Sequence, residues 1–376
     1  MKLESICVHG AKDRNNRTGA LAVPIYQSAT YAHPGLGQST GYDYARVQNP
    51  TREALEECLA SLEGGRKALA FSCGMAALDA LMGLLSPGDH LVATRDLYGG
   101  SVRLFDSLAR RAALSVDYLD TNDQDALRKA LRPETKAVFI ETPSNPMMKV
   151  TDIREVRKTI GDGIRLIVDN TFLTPVFQKP LELGADMVLH SGTKYLGGHN
   201  DTLAGFLVTN SAEDDERLRF ITKTVGSGLT PFDSFLIIRG LKTLPLRMRQ
   251  SQANALSLAQ WLSAHPKVAK VFYPGLPGHP GREISLSQAS GFGAMISFEV
   301  ESEELVKQVL EKVEMILYAE SLGGVETLIT YPVLQTHADV PEEVREALGV
   351  NARLLRLSVG VEDLGDIIAD LGKALG

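Results

Sequence analysis

The sequence predicts an α/β protein, with a mostly parallel central sheet in a large domain and a smaller C-terminal α/β domain after it. Three observations predict this. From about Lys67 to Asn210, short apolar runs alternate with longer amphipathic ones, the rhythm of strands joined by crossover helices. Around Phe232 to Gln250 the rhythm gives way to a long helical stretch, and beyond it strands and helices alternate again. The length of 376 residues suits two to three domains at roughly 150 residues each.

In chain order, residues 1–48 are polar, contain glycine and lack a strong period, which reads as an arm rather than a domain. Residues 49–243 form the expected large domain. Its candidate strands are Ala68 to Ser72, His90 to Thr94, Ser115 to Leu119, Ala137 to Glu141, Arg165 to Asp169, Met187 to His190 and Ala204 to Val208, most of them rich in Val, Ile, Leu or Phe. Between them, Ser101 to Ala112, Asp123 to Leu131 and Ile153 to Ile160 carry their charges on one helical face. Pro245 should kink or break the helical stretch FDSFLIIRGLKTLPLRMRQ. In the expected small domain, residues 244–376, come a helix with Trp261 and the loop YPGLPGHPG. Strands in GFGAMISFEV, LITYPV and LLRLSVGVE then alternate with helices at Ser302 to Lys312, Glu342 to Leu348 and Asp363 to Leu375.

Composition narrows the function. Hydrophobic residues at 44 % and charged residues at 23 % are ordinary for a globular protein. The formal charge of −7 offers no basic field for nucleic acid or anionic lipid. Cys7, Cys58 and Cys73 have no CxxC spacing, so neither a disulfide framework nor a cysteine zinc site is expected, and a reducing, cytoplasmic setting is. The first residues lack a signal-peptide core, and nowhere do 18 apolar residues run together.

Two motif matches lack their context. Gly37-Gln38-Ser39-Thr40-Gly41 fits G-x-S-x-G but sits in a polar loop rather than between a strand and a helix. Ser191-Gly192-Thr193-Lys194 fits S-x-x-K, yet the S-D-N and K-T-G partners are missing. No H-E-x-x-H occurs and no metal is expected.

A different constellation holds together at three strand ends. The strand at Ala68 runs into Cys73-Gly74-Met75-Ala76-Ala77, where a helix opening after a glycine exposes N–H groups suited to a phosphate. The strand at Arg165 ends in Asp169-Asn170-Thr171, which by itself also suits an Asx turn or a cap. The strand at Met187 ends in Ser191-Gly192-Thr193-Lys194, two hydroxyls and an amine on one turn. A phosphate cradle, a carboxylate and a lysine are what pyridoxal phosphate needs. Its aldehyde takes a lysine as a Schiff base, its pyridine nitrogen pairs with an acid, and its phosphate rests on backbone and hydroxyl donors. Tyr98, in DLYGG, is placed to stack on the ring.

The chain resembles the Cys/Met-metabolism family of pyridoxal-phosphate enzymes over nearly its whole length. The motifs, in order, are VPIYQSATY, YARVQNPTR, FSCGMAA, DLYGG, ETPSNP, VDNTF, HSGTKYLGGHND, ESLGGVET and LRLSVGVED. That resemblance implies a fold-type I transferase with Lys194 as Schiff-base lysine and proton shuttle, Asp169 on the pyridine nitrogen, and Tyr98 on the ring. It implies that Gly74, Met75, Ser191 and Thr193 hold the phosphate. Tyr44 and Arg46 match a pair that reaches into the neighbouring subunit's phosphate site, which implies a homo-oligomer of active-site-sharing subunits, a tetramer by analogy. Arg356 matches the ligand of the substrate α-carboxylate, with Asn145 and Ser321 beside it. Glu320 resembles the glutamate of γ-synthases and γ-lyases, and Gly100 stands where methionine γ-lyases carry cysteine. The expected activity is γ-replacement on O-acylhomoserine by cysteine or sulfide, with cystathionine cleavage by a γ- or β-lyase as the alternative. Val47, where some γ-synthases have a second arginine, leaves an acetyl ester or a lyase more open than a succinyl ester.

Overall fold

The computed structural model describes residues 1–14, 16–338 and 340–376. Seven strands form the first sheet: β1 (Lys67–Phe71), β2 (His90–Thr94), β3 (Ser115–Leu119), β4 (Thr135–Glu141), β5 (Arg165–Asp169), β6 (Met187–Ser191) and β7 (Gly205–Thr209), in the order β1-β7-β6-β5-β4-β2-β3. From β6 to β3 every pairing is parallel. β7 runs antiparallel to both β6 and β1. Apolar periodicity reports burial but not direction, so the reversed β7 was not visible in the sequence.

Both faces of this sheet are covered, which explains its near-continuous apolar strands. In β4, Ala137 and Phe139 pack on one side with Leu78, Leu81 and Phe105 of the helices Gly74–Met82 and Gly99–Arg111. Val138 and Ile140 face the other side, against Ile153 and Val156 of the helix Ile153–Ile160. Local chemistry sets the helix starts. Asn49 accepts the Thr51 and Arg52 N–H groups ahead of the helix Pro50–Glu63, and Asp152 accepts those of Arg154 and Glu155. The stretch read as one broken helix is two, Pro231–Leu241 and Leu244–Ala264. Pro245 lies in the first turn of the second, where its missing N–H costs nothing.

The second sheet comprises β8 (Val268–Phe272), β9 (Met295–Val300), β10 (Leu317–Tyr318), β11 (Leu328–Thr330) and β12 (Leu354–Ser358), in the order β10-β11-β12-β9-β8. It is antiparallel except between β10 and β11. One hydrophobic cluster joins the two sheets, running from Cys7 and Leu55 through Leu244 and Leu258 to Phe298, Leu357 and Leu371. The segment read as an arm includes the helix Leu3–His9 and a bridge between Thr30 and Tyr44. Among the described residues no helix is long and apolar enough to cross a membrane.

Candidate active site

A cavity of about 1020 Å³ opens where β4, β5 and β6 end and where β1 turns into its helix. Open parallel sheets place their ligands at this end. Cys73 caps the helix Gly74–Met82, its sulfur accepting the Ala76 N–H at 3.4 Å. Gly74 and Met75 precede the first intrahelical bond, so their N–H groups point out of the positive end of the helix. Ser191 lies directly against them: a Cβ on Gly74 would come within 3.2 Å of its Oγ. Thr193 also lines the cavity, its hydroxyl accepting the Ala204 N–H at 3.0 Å.

At the end of β5, Asp169 Oδ1 accepts the Thr171 hydroxyl at 2.5 Å and the Thr171 N–H at 2.9 Å. The same hydroxyl oxygen accepts the Ser191 N–H at 2.9 Å, tying the strand end with the acid to the strand end with the phosphate donors. Burial pushes the Asp169 carboxyl above its usual range, while the Thr171 bonds and the His190 ring pull it back. Lys194 Nζ donates to Ser321 Oγ at 2.9 Å. Burial lowers the lysine from 10.5 to about 8, Arg356 adds to the effect and Glu320 opposes it. An amine so placed exists partly as the neutral nucleophile near neutral pH. Tyr98 lies along the cavity with 41 % of its surface open.

On β12, Arg356 is 1 % exposed. It donates to Asn145 Oδ1 at 2.8 Å, to the Ser321 carbonyl at 3.1 Å and to Thr330 Oγ1 at 3.2 Å, and its buried Nε has no partner among the described residues. Burial lowers this guanidinium to about 10. It remains a cation with an unused donor, suited to a carboxylate. Ser321 holds φ at +133°, a strained value for a side-chain-bearing residue, and Glu320 beside it is exposed at the cavity rim.

The cavity therefore gathers every residue expected to bind cofactor or substrate except Tyr44 and Arg46. In the single chain, Arg46 donates to the Lys223 carbonyl and stacks on Tyr44 at 5.5 Å. Thr171 and Glu141 are among the lining residues to which the sequence reading gave no role. Thr171 was read only as part of a turn, and Glu141 was read only as the last residue of a strand, although an acid ending a buried strand was the signal that drew attention to Asp169.

The donors fit pyridoxal phosphate. Helix N–H groups and hydroxyls would suit a phosphate, Asp169 a pyridinium, and a desolvated lysine an aldehyde. A family model described as Cys/Met metabolism PLP-dependent enzyme matches residues 4–376. The chain belongs to this family. It is a PLP-dependent enzyme of Cys/Met metabolism. It is 48 % identical to the cystathionine gamma-lyase of Bacillus subtilis (strain 168) over 378 aligned residues, 100 % of this chain and 99 % of that one. It is 50 % identical to the cystathionine gamma-synthase/O-acetylhomoserine (thiol)-lyase of the same strain over 359 residues, 95 % of this chain and 92 % of that one. The crystal structure of cystathionine gamma synthase from Xanthomonas oryzae pv. oryzae, in complex with aminoacrylate and cysteine, superposes with a TM-score of 0.97 at 42 % identity. It covers 100 % of this chain and 98 % of that one. The architecture, a mostly parallel sheet with a second sheet and helices, is fold-type I. Lyase and synthase names occur at nearly equal identity, so similarity alone does not choose the reaction.

Proposed function

We propose that the enzyme catalyses γ-replacement on an O-acylhomoserine, with cysteine giving cystathionine or sulfide giving homocysteine. The observation that carries this reading is the placement of Glu320 at the rim of the cavity that holds Lys194 and Arg356. Arg356 would take the α-carboxylate of the acyl substrate. Glu320, acting electrostatically on both Lys194 and Arg356, would receive the ammonium of an incoming cysteine.

Pyridoxal phosphate, when bound, supplies an aldehyde that exchanges amines and an electron-poor ring that stabilises a carbanion at the substrate α-carbon. The chain's own groups do the rest. Asp169 keeps an anion at the β5 end, steadied by Thr171. Lys194 Nζ, as a neutral amine, would take the α-proton and serve again at the β-carbon, with Ser321 Oγ orienting it. Loss of the acyloxy group as a carboxylate breaks the γ-carbon–oxygen bond; the thiol then gives up its proton as its sulfur forms the new γ-carbon bond, and the Lys194 ammonium would return protons to the β- and α-carbons. Tyr44 and Arg46 would complete a neighbouring subunit's phosphate site in an oligomer, which fits their position outside this chain's own cavity.

A lyase acting on cystathionine would use the same residues, and a relative 48 % identical to this chain carries the name cystathionine gamma-lyase. One incubation series separates the readings: O-acetyl- or O-succinylhomoserine with cysteine or sulfide, against cystathionine alone. Cystathionine or homocysteine formed from the acyl esters supports γ-replacement. A 2-oxo acid released only from cystathionine rejects it.

A further inference from the structure

Glu141 ends β4 in register with Asp169 at the end of β5. Side chains alternate along strands, and Ala137, Phe139 and Ile167 share one face, so the two carboxyls leave the sheet on that same side. Both line the cavity. Glu141 is 5 % exposed, and its Oε2 accepts the Tyr98 N–H at 3.1 Å. The Asn145 backbone favours its anion as well. These partners are amides rather than a cation, and the charges that act most on it are those of Asp169 and Asp96, both acids. Arg356 feels Glu141 electrostatically but spends its hydrogen bonds on Asn145, Ser321 and Thr330. Among the described residues no cation bonds to either carboxyl, and two neighbouring buried carboxyls so placed do not both ionise.

We propose that Glu141 is a positioning residue of this site, a neutral acid that shares one proton with Asp169 and holds the Tyr98 turn in place. The asymmetry of the pair assigns the proton. Burial and the neighbouring Asp169 push Glu141 well above the usual carboxylate range, whereas Thr171 donates two hydrogen bonds to Asp169 and favours its anion. The strand ends then carry one negative charge, on Asp169, matched to one pyridinium. Ionising Glu141 would add a second charge beneath the Tyr98 turn. This inference rests on the reading of Asp169 and Tyr98 as cofactor-site residues, and it holds whichever thiol or leaving group the enzyme uses.

The test is an infrared difference spectrum of the cofactor-loaded enzyme, wild type minus Glu141→Gln, at neutral pH. The expected result is the carbonyl stretch of a protonated carboxylic acid, shifted in deuterium oxide and missing from the variant. Only a carboxylate band at this position would overturn the proposal. Kinetics give the second readout. Glu141→Ala should lower kcat between about ten- and a hundredfold through the loosened Tyr98 turn, and Glu141→Gln, neutral and able to accept the same N–H, should recover most of that loss. A Gln variant as impaired as the Ala variant would also overturn it. A failure of the γ-replacement reading would appear instead in the product series, with the infrared band unchanged.

Discussion

Lys194 is half-buried beside a fully buried cation: burial first, and then the Arg356 guanidinium, lower the lysine to about 8. The consequence is measurable in the cofactor-free protein. Uptake of pyridoxal phosphate needs the neutral amine, so the rate at which added cofactor develops its visible absorption should rise as pH increases through about 8 and then level off. A rate still climbing steadily well above that pH would mean that the lysine keeps its ordinary value of 10.5. Lys194→Ala should lose both this absorption and nearly all turnover. Lys194, Asp169 and Tyr98 were legible in the sequence because each follows a run apolar enough to be a buried strand. Glu141 was not assigned a role, because an isolated glutamate at a strand end says nothing about a second acid in register beside it. That pairing depends on β4 and β5 being neighbours.

At the scale of elements, the phosphate cradle depends on how closely β7 approaches the turn after β1. A Cβ on Gly205 would lie 2.1 Å from the Cys73 carbonyl oxygen and 2.8 Å from the Gly74 Cα. Backbone rather than a flexible side chain would have to move, so Gly205→Ala should destabilise the fold by about 1–3 kcal/mol. It should also weaken cofactor binding, because the displaced turn is the one that presents Gly74 and Met75. Thermal melting and cofactor titration check the two effects, and a variant with normal values for both would contradict this account of the cradle. Strands β2, β3 and β5 match their sequence-derived bounds, helped by turn residues such as Pro87-Gly88 before β2, Asn122-Asp123 after β3 and Gly161-Asp162-Gly163 before β5. β8 was missed because VAKVF interrupts its apolar run with Lys270 and lies at a sheet edge with exposed residues. The helix Leu3–His9 was missed because seven residues carry too little periodicity to stand out.

At the scale of the whole molecule, the cluster from Cys7 to Leu375 makes the first helix and the last parts of one core. The polar segment after the first helix behaves differently: Leu21 and Leu36 are almost fully exposed. With Tyr44 and Arg46 outside their own chain's cavity, the proposed sharing of sites between subunits predicts complementation. Lys194→Ala and Arg46→Ala proteins, each impaired alone, should regain part of the turnover when unfolded together and refolded as a mixture, since some mixed sites would hold both native residues. Activity no higher than the average of the parents would rule out sharing through Arg46. The expectation of an assembly rests on resemblance alone, since nothing in the periodicity of residues 1–48 tells which chain they touch.

The unpartnered Nε of Arg356 also makes the site a thermometer. A buried guanidinium with an unused donor leaves the ligand-free protein less stable than it could be. Any small molecule whose carboxylate fills that place binds the folded state alone and should raise the melting temperature. The gain is about 2.7 kcal/mol at a hundred times its dissociation constant. A melting screen of plain α-amino acids and their amides, run without turnover, should show stabilisation by the acids only, and Arg356→Lys should abolish most of it because a point charge cannot replace the planar fork. Substrate candidates could thus be ranked by heat before any product is identified.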